Sequence, residues 1–138
     1  MEPEHRPPVE PISREECLEL LQKKSKVGRV AFVVEGRPIV LPVNYRAEPD
    51  SIVFCTAEGA KLSHLRDGAP VAFEVDSSVS LIRTGWSVLV QGSADEVTDP
   101  AELEELRRGP LKSWATPETE HWIRISIEDI SGRRIPET

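Results

Sequence analysis

The chain has 138 residues and a formal net charge of −7, with 38% hydrophobic and 30% charged residues. This length fits one globular domain, close to the size at which a partner subunit adds stability. The acidic balance argues against nucleic acid or an anionic membrane as the main partner, and no apolar run reaches the roughly 18–20 residues of a membrane span. We therefore expect a soluble protein.

The N-terminal segment MEPEHRPPVEP is acidic and rich in proline, and it lacks the basic and then apolar layout of a signal peptide. We interpret residues 1–12 as a mobile arm that precedes a single domain over residues 13–138. The two cysteines, Cys17 and Cys55, are too few for a disulfide framework or a zinc site. Their small number favours a reducing, cytoplasmic setting.

The first predicted element is a helix from Ser13 to Lys24. Ser13 and Glu16 have the spacing of a capping box, and Cys17 and Leu21 follow at helical spacing. The β-branched segment VGRVAFVV then predicts a strand, and the Glu-Gly pair after it predicts a tight hairpin turn.

The return strand of this hairpin, RPIVLPVNYRA, contains Pro38 and Pro42. Proline cannot donate to a strand ladder, so we expect an edge or a bulge at these positions. The segment SIVFCT predicts a third strand, and EGAKLSHLRDG predicts a short helix that ends at Gly68.

The second half of the chain continues the β pattern. PVAFEVD alternates with a period of two, SSVSLIR reads as a loop, and TGWSVLVQGSADEV predicts a long strand with bulges at Gly85 and Gly92. DPAELEELRRG predicts a helix capped by Asp99, with Pro100 at its first position. PLKSWATPETE looks irregular, and HWIRISIEDISGRRI predicts one or two final strands.

Several strands joined by connections too short for crossover helices predict a mainly β fold with flanking helices. The favoured form is an antiparallel β-barrel with helices that plug or flank it. The sequence contains no internal repeat and no sign of a second domain.

The sequence contains no general catalytic motif: no G-x-S-x-G, H-E-x-x-H, P-loop or G-x-G-x-x-G. The three histidines, His5, His64 and His121, are scattered and lack metal-ligand spacing, so we expect surface or partly buried residues and no metal site. The residue pattern therefore identifies no catalytic residue.

The segment TAEGAKL is a candidate anion site. Gly59 permits close approach to the backbone, and Lys61 lies in the first turn of the predicted helix, where free N–H groups and the helix dipole favour anions. A cation at this position is unusual, and an anionic ligand would explain it. A solvated lysine on a short helix explains it equally well.

The segment PVNYR is a second candidate. An edge strand interrupted by Pro42 leaves backbone groups available to a ligand with an amide-like edge, and Asn44 and Tyr45 add polar and aromatic contacts. A turn after the strand would also account for the Asn-Tyr pair. In GWSVLV, Trp86 and Ser87 follow a glycine, and Trp86 is equally compatible with the core or a dimer interface.

Together, the segments VGRVAF, RPIVLPVNY, VAFEVD and TGWSVLVQG resemble, in their order and spacing, the pyridoxamine 5′-phosphate oxidase-like family of FMN-binding split β-barrels. The resemblance runs from about Ser13 to Ile135 and is strongest to small actinobacterial-type members. It implies a six-stranded antiparallel split β-barrel, usually a homodimer, with a flavin in each of two clefts between the subunits. It also implies a flavin-dependent oxidoreductase acting on an unidentified small molecule, with the redox chemistry carried by the cofactor.

By position in this family, the strand VLPVNY is implied to line the isoalloxazine ring, and Lys61 falls on the basic position that binds the phosphate. Ser87 falls where the oxidases have a glutamine that contacts the flavin. Trp86, Trp114, His121 and Trp122 are implied to approach the cleft from the partner subunit. The complete set of implied cofactor-binding residues is Pro42, Val43, Asn44, Tyr45, Cys55, Thr56, Gly59, Ala60, Lys61, Trp86 and Ser87.

The chain departs from the family pattern at three places. Cys55 stands where close relatives often carry arginine, and Ala60 with Lys61 stands where the oxidases have an Arg-Lys pair. The implied phosphate site is therefore poorer in positive charge. The C-terminal segment SGRRIPET lacks the Arg-His pattern of the oxidases, so oxidation of pyridoxamine phosphate itself is not predicted.

Two alternatives to a flavin enzyme stay open: a non-catalytic flavin or deazaflavin protein, such as a carrier or sensor, and a purely structural dimer module. FMN is the favoured cofactor, and the deazaflavin coenzyme is the alternative. Haem is disfavoured because no histidine stands in the predicted cleft strands before His121.

Overall fold

The computed structural model describes residues 9–23, 27–57, 59, 61–79, 84–111, 116 and 118–135. In chain order the elements are β1 (Glu10–Pro11), α1 (Arg14–Lys23), β2 (Val27–Val34), β3 (Arg37–Ala47), β4 (Ser51–Ala57), a 3₁₀ turn (Leu62–His64), β5 (Ala69–Val79), β6 (Thr84–Glu96), α2 (Pro100–Arg108) and β7 (Glu120–Ile135).

The six long strands of the described residues close into a ring. The strand order is β1-β7-β4-β3-β2-β5-β6, and β6 pairs with β7 again, which closes the barrel. Every pairing is antiparallel. The predicted six-stranded antiparallel barrel with flanking helices is confirmed.

β1 lies in the segment predicted as an arm. Glu10 and Pro11 pair with β7, and the Ile12 N–H donates to the Gly132 carbonyl at 3.1 Å. Two residues of the predicted arm, Glu10 and Pro11, therefore belong to the sheet and Ile12 is hydrogen-bonded to it, whereas residues 1–8 lie outside the described residues.

The alternation of side chains along the strands fills the barrel with apolar groups. Gly28 lies under the ring of Phe73, and a Cβ added at Gly28 would lie 2.1 Å from Phe73 Cζ, so the packing requires glycine. Tyr45 and Phe73 stack edge to face with ring centroids 4.9 Å apart. Fully buried members of this interior cluster include Val30, Ile52, Phe54, Phe73, Val75, Val88, Val90, Ile123 and Ile125.

α1 covers part of this interior cluster. The Ser13 hydroxyl accepts from the Glu16 N–H at 3.1 Å, which confirms the predicted cap. Cys17 and Leu21 are buried against the barrel interior, and the Tyr45 hydroxyl donates to the Leu21 carbonyl at 2.9 Å. The helix is therefore joined to β3 by a buried hydrogen bond.

α2 covers the outer face of β4. Asp99 accepts from the Glu102 N–H at 3.1 Å, and Pro100 is the first helical residue, as predicted. The outer cluster under this helix consists of Val53, Val97, Leu106 and Trp122. β4 is therefore buried on both faces. Neither of the described α-helices is long and apolar enough to cross a membrane.

One predicted irregularity is confirmed and another is not. The register between β6 and β7 shifts at Gly92, whereas it runs on without a shift through Gly85. A Cβ at Gly92 would lie 1.9 Å from the Ser126 carbonyl oxygen. Only glycine permits this close approach of the two strands at the bulge.

The helix predicted over EGAKLSHLRDG is wrong. The described residues of this segment form a 3₁₀ turn at Leu62–His64 and no α-helix, and Gly68, with φ 74°, leads into β5. Leu62 and Leu65 are both buried in the interior cluster. The threefold repeat of a 3₁₀ turn places residues three apart on one side, which is consistent with the burial of both leucines.

The predicted loop SSVSLIR begins inside a strand. Ser77–Val79 pair with Thr84–Trp86 of β6, so β5 is longer than its apolar alternation indicates. Ladder hydrogen bonds outweigh the weak strand preference of serine here. Residues 80–83 of this loop, and residues 112–115 and 117 of PLKSWATPETE, lie outside the described residues.

Candidate functional site

The barrel is open along one edge of β3. β3 pairs with β2 over Arg37–Asn44, but it pairs with β4 only where Tyr45–Ala47 face Ile52–Phe54. Within the described residues, the second edge of Arg37–Asn44 therefore has no strand partner. We call this opening, between Arg37–Asn44 and the end of β4, the β3–β4 split.

Pro38 and Pro42 account for the open edge. Backbone N–H groups alternate in direction along a strand, so residues four apart remove donors from the same edge. β3 keeps its register with β2 across both prolines, so the missing donors belong to the side of the split. The edge predicted from these prolines is confirmed.

The residues implied to line a flavin ring lie on two faces of β3. Val43 packs against the interior cluster, whereas Pro42 and Asn44 face outward and are exposed. Tyr45 is only 6% exposed, and its hydroxyl is held by the Leu21 carbonyl. The structure thus brings Pro42, Val43 and Asn44 to the split and places Tyr45 in the core.

Thr56 and Cys55 point in opposite directions from β4. Thr56 continues the interior-facing series of Ile52 and Phe54, because alternate residues of a strand share a face. Cys55 packs instead against the outer cluster under α2. An arginine at position 55 would start from the α2 side of the sheet, away from Thr56. Cys55 and Cys17 are not joined by a disulfide.

Gly59 and Lys61 lie on the exposed segment that follows β4. A Cβ added at Gly59 would meet nothing within 4 Å, so there is open space around it. Lys61 is exposed, and the ion pairs found among the described residues do not include it. Because only a three-residue turn follows, the predicted helix dipole is lacking at Lys61, and the lysine charge is what could attract an anion. Ala60 lies outside the described residues.

Trp86 and Ser87 lie far from Thr56 within one chain. They are near the start of β6, whereas Glu96 ends the strand close to the β4–β7 ladder. Ten residues of extended strand span on the order of 30 Å. Trp86 packs against the interior cluster, and the half-buried Ser87 pairs with Arg133 on β7.

His121 lies beside Thr56 in the same chain. The two residues are directly paired in the β4–β7 ladder, which makes their side chains cross-strand neighbours on one face. His121 Nδ1 lies 2.6 Å from Glu96 Oε2, and Arg66 lies 3.5 Å from Glu96 Oε1. The resemblance implied an approach of His121 from a partner subunit. Only the register of β4 with β7 could show that His121 adjoins Thr56 within one chain.

Trp122, the neighbour of His121, faces the other way. It is buried in the outer cluster, and its indole N–H donates to Glu120 Oε1 at 2.8 Å. Trp122 therefore helps to hold α2 against β4. Trp114 lies outside the described residues.

An exposed apolar surface lies on the outside of the barrel beside the split. Val33 and Val40 are 58% and 59% exposed, although both belong to regular strands. Alternation puts them on the face of the sheet that carries an open depression of about 300 Å³. We name this surface the outer apolar face and define it as Val27, Ala31, Val33, Val40, Ala72 and Leu89.

Three charged groups line the same depression. Arg29 lies 3.2 Å from Glu74 Oε1 and 3.1 Å from Asp76 Oδ2. Burial, and then the neighbouring Asp76 carboxylate, raise the pKa of Glu74 to about 7, although Arg29 acts in the opposite direction. The Arg29 guanidinium thus pairs with two carboxylates, those of Glu74 and Asp76. Because its pKa is about 7, Glu74 changes its charge near neutral pH. Among the described residues, no group of three His, Cys, Asp or Glu side chains could hold a metal ion.

Known proteins are similar to this chain in sequence and in fold. An uncharacterised protein of Mycobacterium tuberculosis is 33% identical over 129 residues, which cover 90% of this chain and 84% of that protein. The structure of an FAD-binding protein from Mycobacterium smegmatis is 34% identical with a TM-score of 0.79, over 93% of this chain and 99% of that one. An FAD-binding protein from Mesorhizobium loti is 26% identical with a TM-score of 0.74, over 93% and 99% of the two chains.

A family model described as pyridoxamine 5′-phosphate oxidase matches residues 13–134. This match covers most of the chain and includes β3, β4 and the segment between β4 and β5, which together carry most of the candidate site. The resemblance drawn from the ordered sequence segments is confirmed. The chain belongs to the pyridoxamine 5′-phosphate oxidase family.

Proposed function

We propose that the chain binds a flavin in the β3–β4 split and acts as a flavin-dependent oxidoreductase on a small molecule. The observation that carries this proposal is the open edge of Arg37–Asn44, which leaves backbone groups available to the amide-like edge of an isoalloxazine ring. Two similar structures are of proteins named as FAD-binding, which supports flavin as the ligand class.

The residues around the split fit the polar chain of a flavin as well as its ring. Thr56 borders the split, Gly59 has open space around it, and Lys61 supplies an exposed positive charge. In addition, His121 Nε2 is buried and has no hydrogen-bond partner among the described residues. A hydroxylated and phosphorylated chain could satisfy these groups.

The bound flavin would supply the redox chemistry. The chain's own part is to bind and orient it: the β3 edge holds the ring, and Lys61 makes a charge-assisted hydrogen bond to the phosphate. FMN is the cofactor we propose, with the deazaflavin coenzyme as the alternative. FAD is included in the titrations described below because the two similar proteins are named as FAD-binding.

We further propose that a second copy of the chain covers the outer apolar face. β3 contributes both Val40 on this face and the open edge of the split, so a second copy seated there would border the flavin site. A stable interface of this kind buries on the order of 1,200–2,000 Å². Trp86 and Ser87, which are remote from Thr56 in one chain, could then reach the site from the partner.

A non-catalytic flavin carrier or sensor is the second candidate function. It is favoured by the lack of any acid–base or nucleophile motif in the sequence. Visible spectra distinguish the two functions: bleaching by a reduced nicotinamide and recovery with a dye would support the oxidoreductase. A flavin that stays oxidised with every donor tried would support the carrier or sensor.

The phosphate contact is tested by titrating FMN and riboflavin against the wild type and Lys61→Ala. A charge-assisted hydrogen bond contributes about 1.5–3 kcal/mol, so Lys61→Ala should weaken FMN by roughly 10- to 150-fold. Riboflavin lacks the phosphate and should lose far less affinity. Lys23→Ala, which changes an exposed lysine on α1, is the matched control and should change neither affinity.

Equal losses for FMN and riboflavin, or no loss for either, would show that Lys61 does not bind the phosphate. FAD and the deazaflavin coenzyme are titrated in parallel with the same proteins. If the wild type binds none of the four compounds, flavin binding itself is refuted.

A further inference from the structure

His121 carries a buried nitrogen whose hydrogen-bonding capacity the described residues do not use. Its Nδ1 lies 2.6 Å from Glu96 Oε2, whereas its Nε2 is buried and unpartnered in the described part of the chain. Buried polar atoms in folded proteins almost always have a partner, and leaving one unsatisfied costs stability. A partner for Nε2 must therefore be sought in a ligand or in solvent.

Glu96 determines what kind of partner Nε2 can take. A carboxylate oxygen only accepts, so His121 Nδ1 must be the donor in their hydrogen bond. In the neutral ring, Nε2 then has a lone pair and acts as an acceptor. Arg66, next to the other oxygen of Glu96, helps to hold the carboxylate in place. With the neutral ring, this arrangement selects a ligand group with an O–H or N–H donor.

The position of His121 favours the chain of the flavin over its ring. His121 pairs with Thr56, at a point where β4 has already separated from β3. From Thr56 the chain continues to Gly59 and Lys61, where the proposed phosphate contact lies. A group between the β3 edge and Lys61 would meet the ribityl chain, whose hydroxyls are donors of the kind that Nε2 requires.

We propose that His121 Nε2 accepts a hydrogen bond from a ribityl hydroxyl of the bound flavin, with Glu96 as the positioning residue. This inference rests on the proposed function, because it requires a flavin in the β3–β4 split. Riboflavin, FMN, FAD and the deazaflavin coenzyme all carry the ribityl chain, so the contact does not depend on which of them is the natural ligand.

The affinity test uses riboflavin, FMN and lumiflavin, which has the ring but no ribityl chain. His121→Phe removes the acceptor, and we expect riboflavin and FMN to bind about 3- to 10-fold more weakly, by equal factors. Lumiflavin should bind as it does to the wild type. His64→Phe, on the 3₁₀ turn, is the matched control and should bind all three compounds as the wild type does.

A spectroscopic test uses the wild type and does not depend on the variant folding. The chain has three histidines, so nitrogen-15 resonances of His121 can be assigned by comparison with His121→Phe or, if that variant does not fold, with His5 and His64 variants. Saturation with riboflavin should shift the Nε2 resonance, whereas saturation with lumiflavin should leave it in place. Glu96→Gln can donate to Nδ1 and move the proton to Nε2, which should change the riboflavin-specific shift because Nε2 can then no longer accept from the hydroxyl.

Three results would overturn the inference. A loss for FMN alone would place the contact at the phosphate. Unchanged affinities, with an Nε2 resonance that riboflavin does not move, would mean that solvent satisfies the nitrogen. If the wild type binds no flavin, the proposed function fails, and this inference fails with it. The first two results leave flavin binding intact, so the two failures can be told apart.

Discussion

The two edges of β4 differ in how far they are paired and in the residues found there. Toward β7, the strand is paired along its whole length, and Ser51–Phe54 are buried. Toward β3, pairing stops after Phe54, and β3 carries prolines instead of ladder donors. The closed edge has the residues that stabilise a barrel. The open edge has prolines in place of ladder donors, and it is where we propose that a flavin binds.

The same contrast holds for valines on the two strands. Val53 on β4 is fully buried under α2, whereas Val40 on β3 is 59% exposed. Both are regular strand residues with the same preference for β structure. The difference shows that strand residues of one type are buried in the core at one place and exposed to solvent at another.

The largest expected effect is on the free energy of unfolding, and it comes from a substitution on β4, whose edge toward β7 is closed. Val53→Ala removes two buried methyl groups and leaves a cavity, so it should lower the free energy of unfolding by about 2–3 kcal/mol. Val40→Ala is the matched control and should change it by less than about 0.5 kcal/mol in dilute, monomeric protein. Urea unfolding of both variants measures the difference. Equal losses would refute the contrast between the two edges.

A slightly smaller effect is expected on association. Val40→Asp would bury an unpaired carboxylate if a second copy covers the outer apolar face, at a cost of about 2 kcal/mol or more. The dimer dissociation constant should therefore rise by at least about 30-fold. Sedimentation of Val40→Asp is compared with that of Val9→Asp, which changes an exposed valine outside this face. A wild type that sediments as a monomer at micromolar concentration would refute the dimer proposal.

The smallest expected effect is on the pH dependence of stability, and it comes from Glu74 in the depression on the outer apolar face. The pKa of Glu74 is raised from 4.5 to about 7 by burial and by Asp76, so the folded protein binds this proton more tightly than the unfolded chain does. The stability contribution of Glu74 is therefore fully present below pH 4.5 and is lost as the pH rises through about 7.

Glu74→Gln removes this titration. Its melting temperature relative to the wild type should rise between about pH 5 and about pH 8 by on the order of 2–4 °C, a modest gain because the side chain is partly exposed to solvent. Glu104→Gln, on the exposed surface of α2, is the control and should show no such trend. A relative melting temperature for Glu74→Gln that does not change with pH would show that Glu74 ionises freely.

Much of the fold follows from local sequence patterns. Alternation in PVAFEVD, the cap at Asp99 and the prolines of β3 each specify their own element, because the physical cause acts within a few residues. The helix expected at Lys61 is wrong: the local cap and breaker pattern does not show that the chain forms only a short turn here, with Leu62 and Leu65 buried in the interior cluster.

The candidate site could be predicted only in part. The order of segments along the chain is sufficient to place Pro42, Asn44 and Thr56 in the family pattern. It could not show that Cys55 packs under α2 or that His121 adjoins Thr56, because these facts depend on strand register and on which face of the sheet is covered. The alternation of apolar residues within one strand does not show which strands pair with it or in which register.

The proposal that the β3–β4 split binds the flavin is best tested by backbone hydrogen exchange with and without FMN at a constant protein concentration. Exchange reports local protection of amides, so a ligand paired with the open edge should slow the peptide that covers Arg37–Ala47. Any slowing of a peptide from the closed edge, Ile123–Ile127, should be smaller, because it reflects only the general stabilisation by a bound ligand. Unchanged exchange over Arg37–Ala47, while fluorescence shows that FMN is bound, would contradict the account.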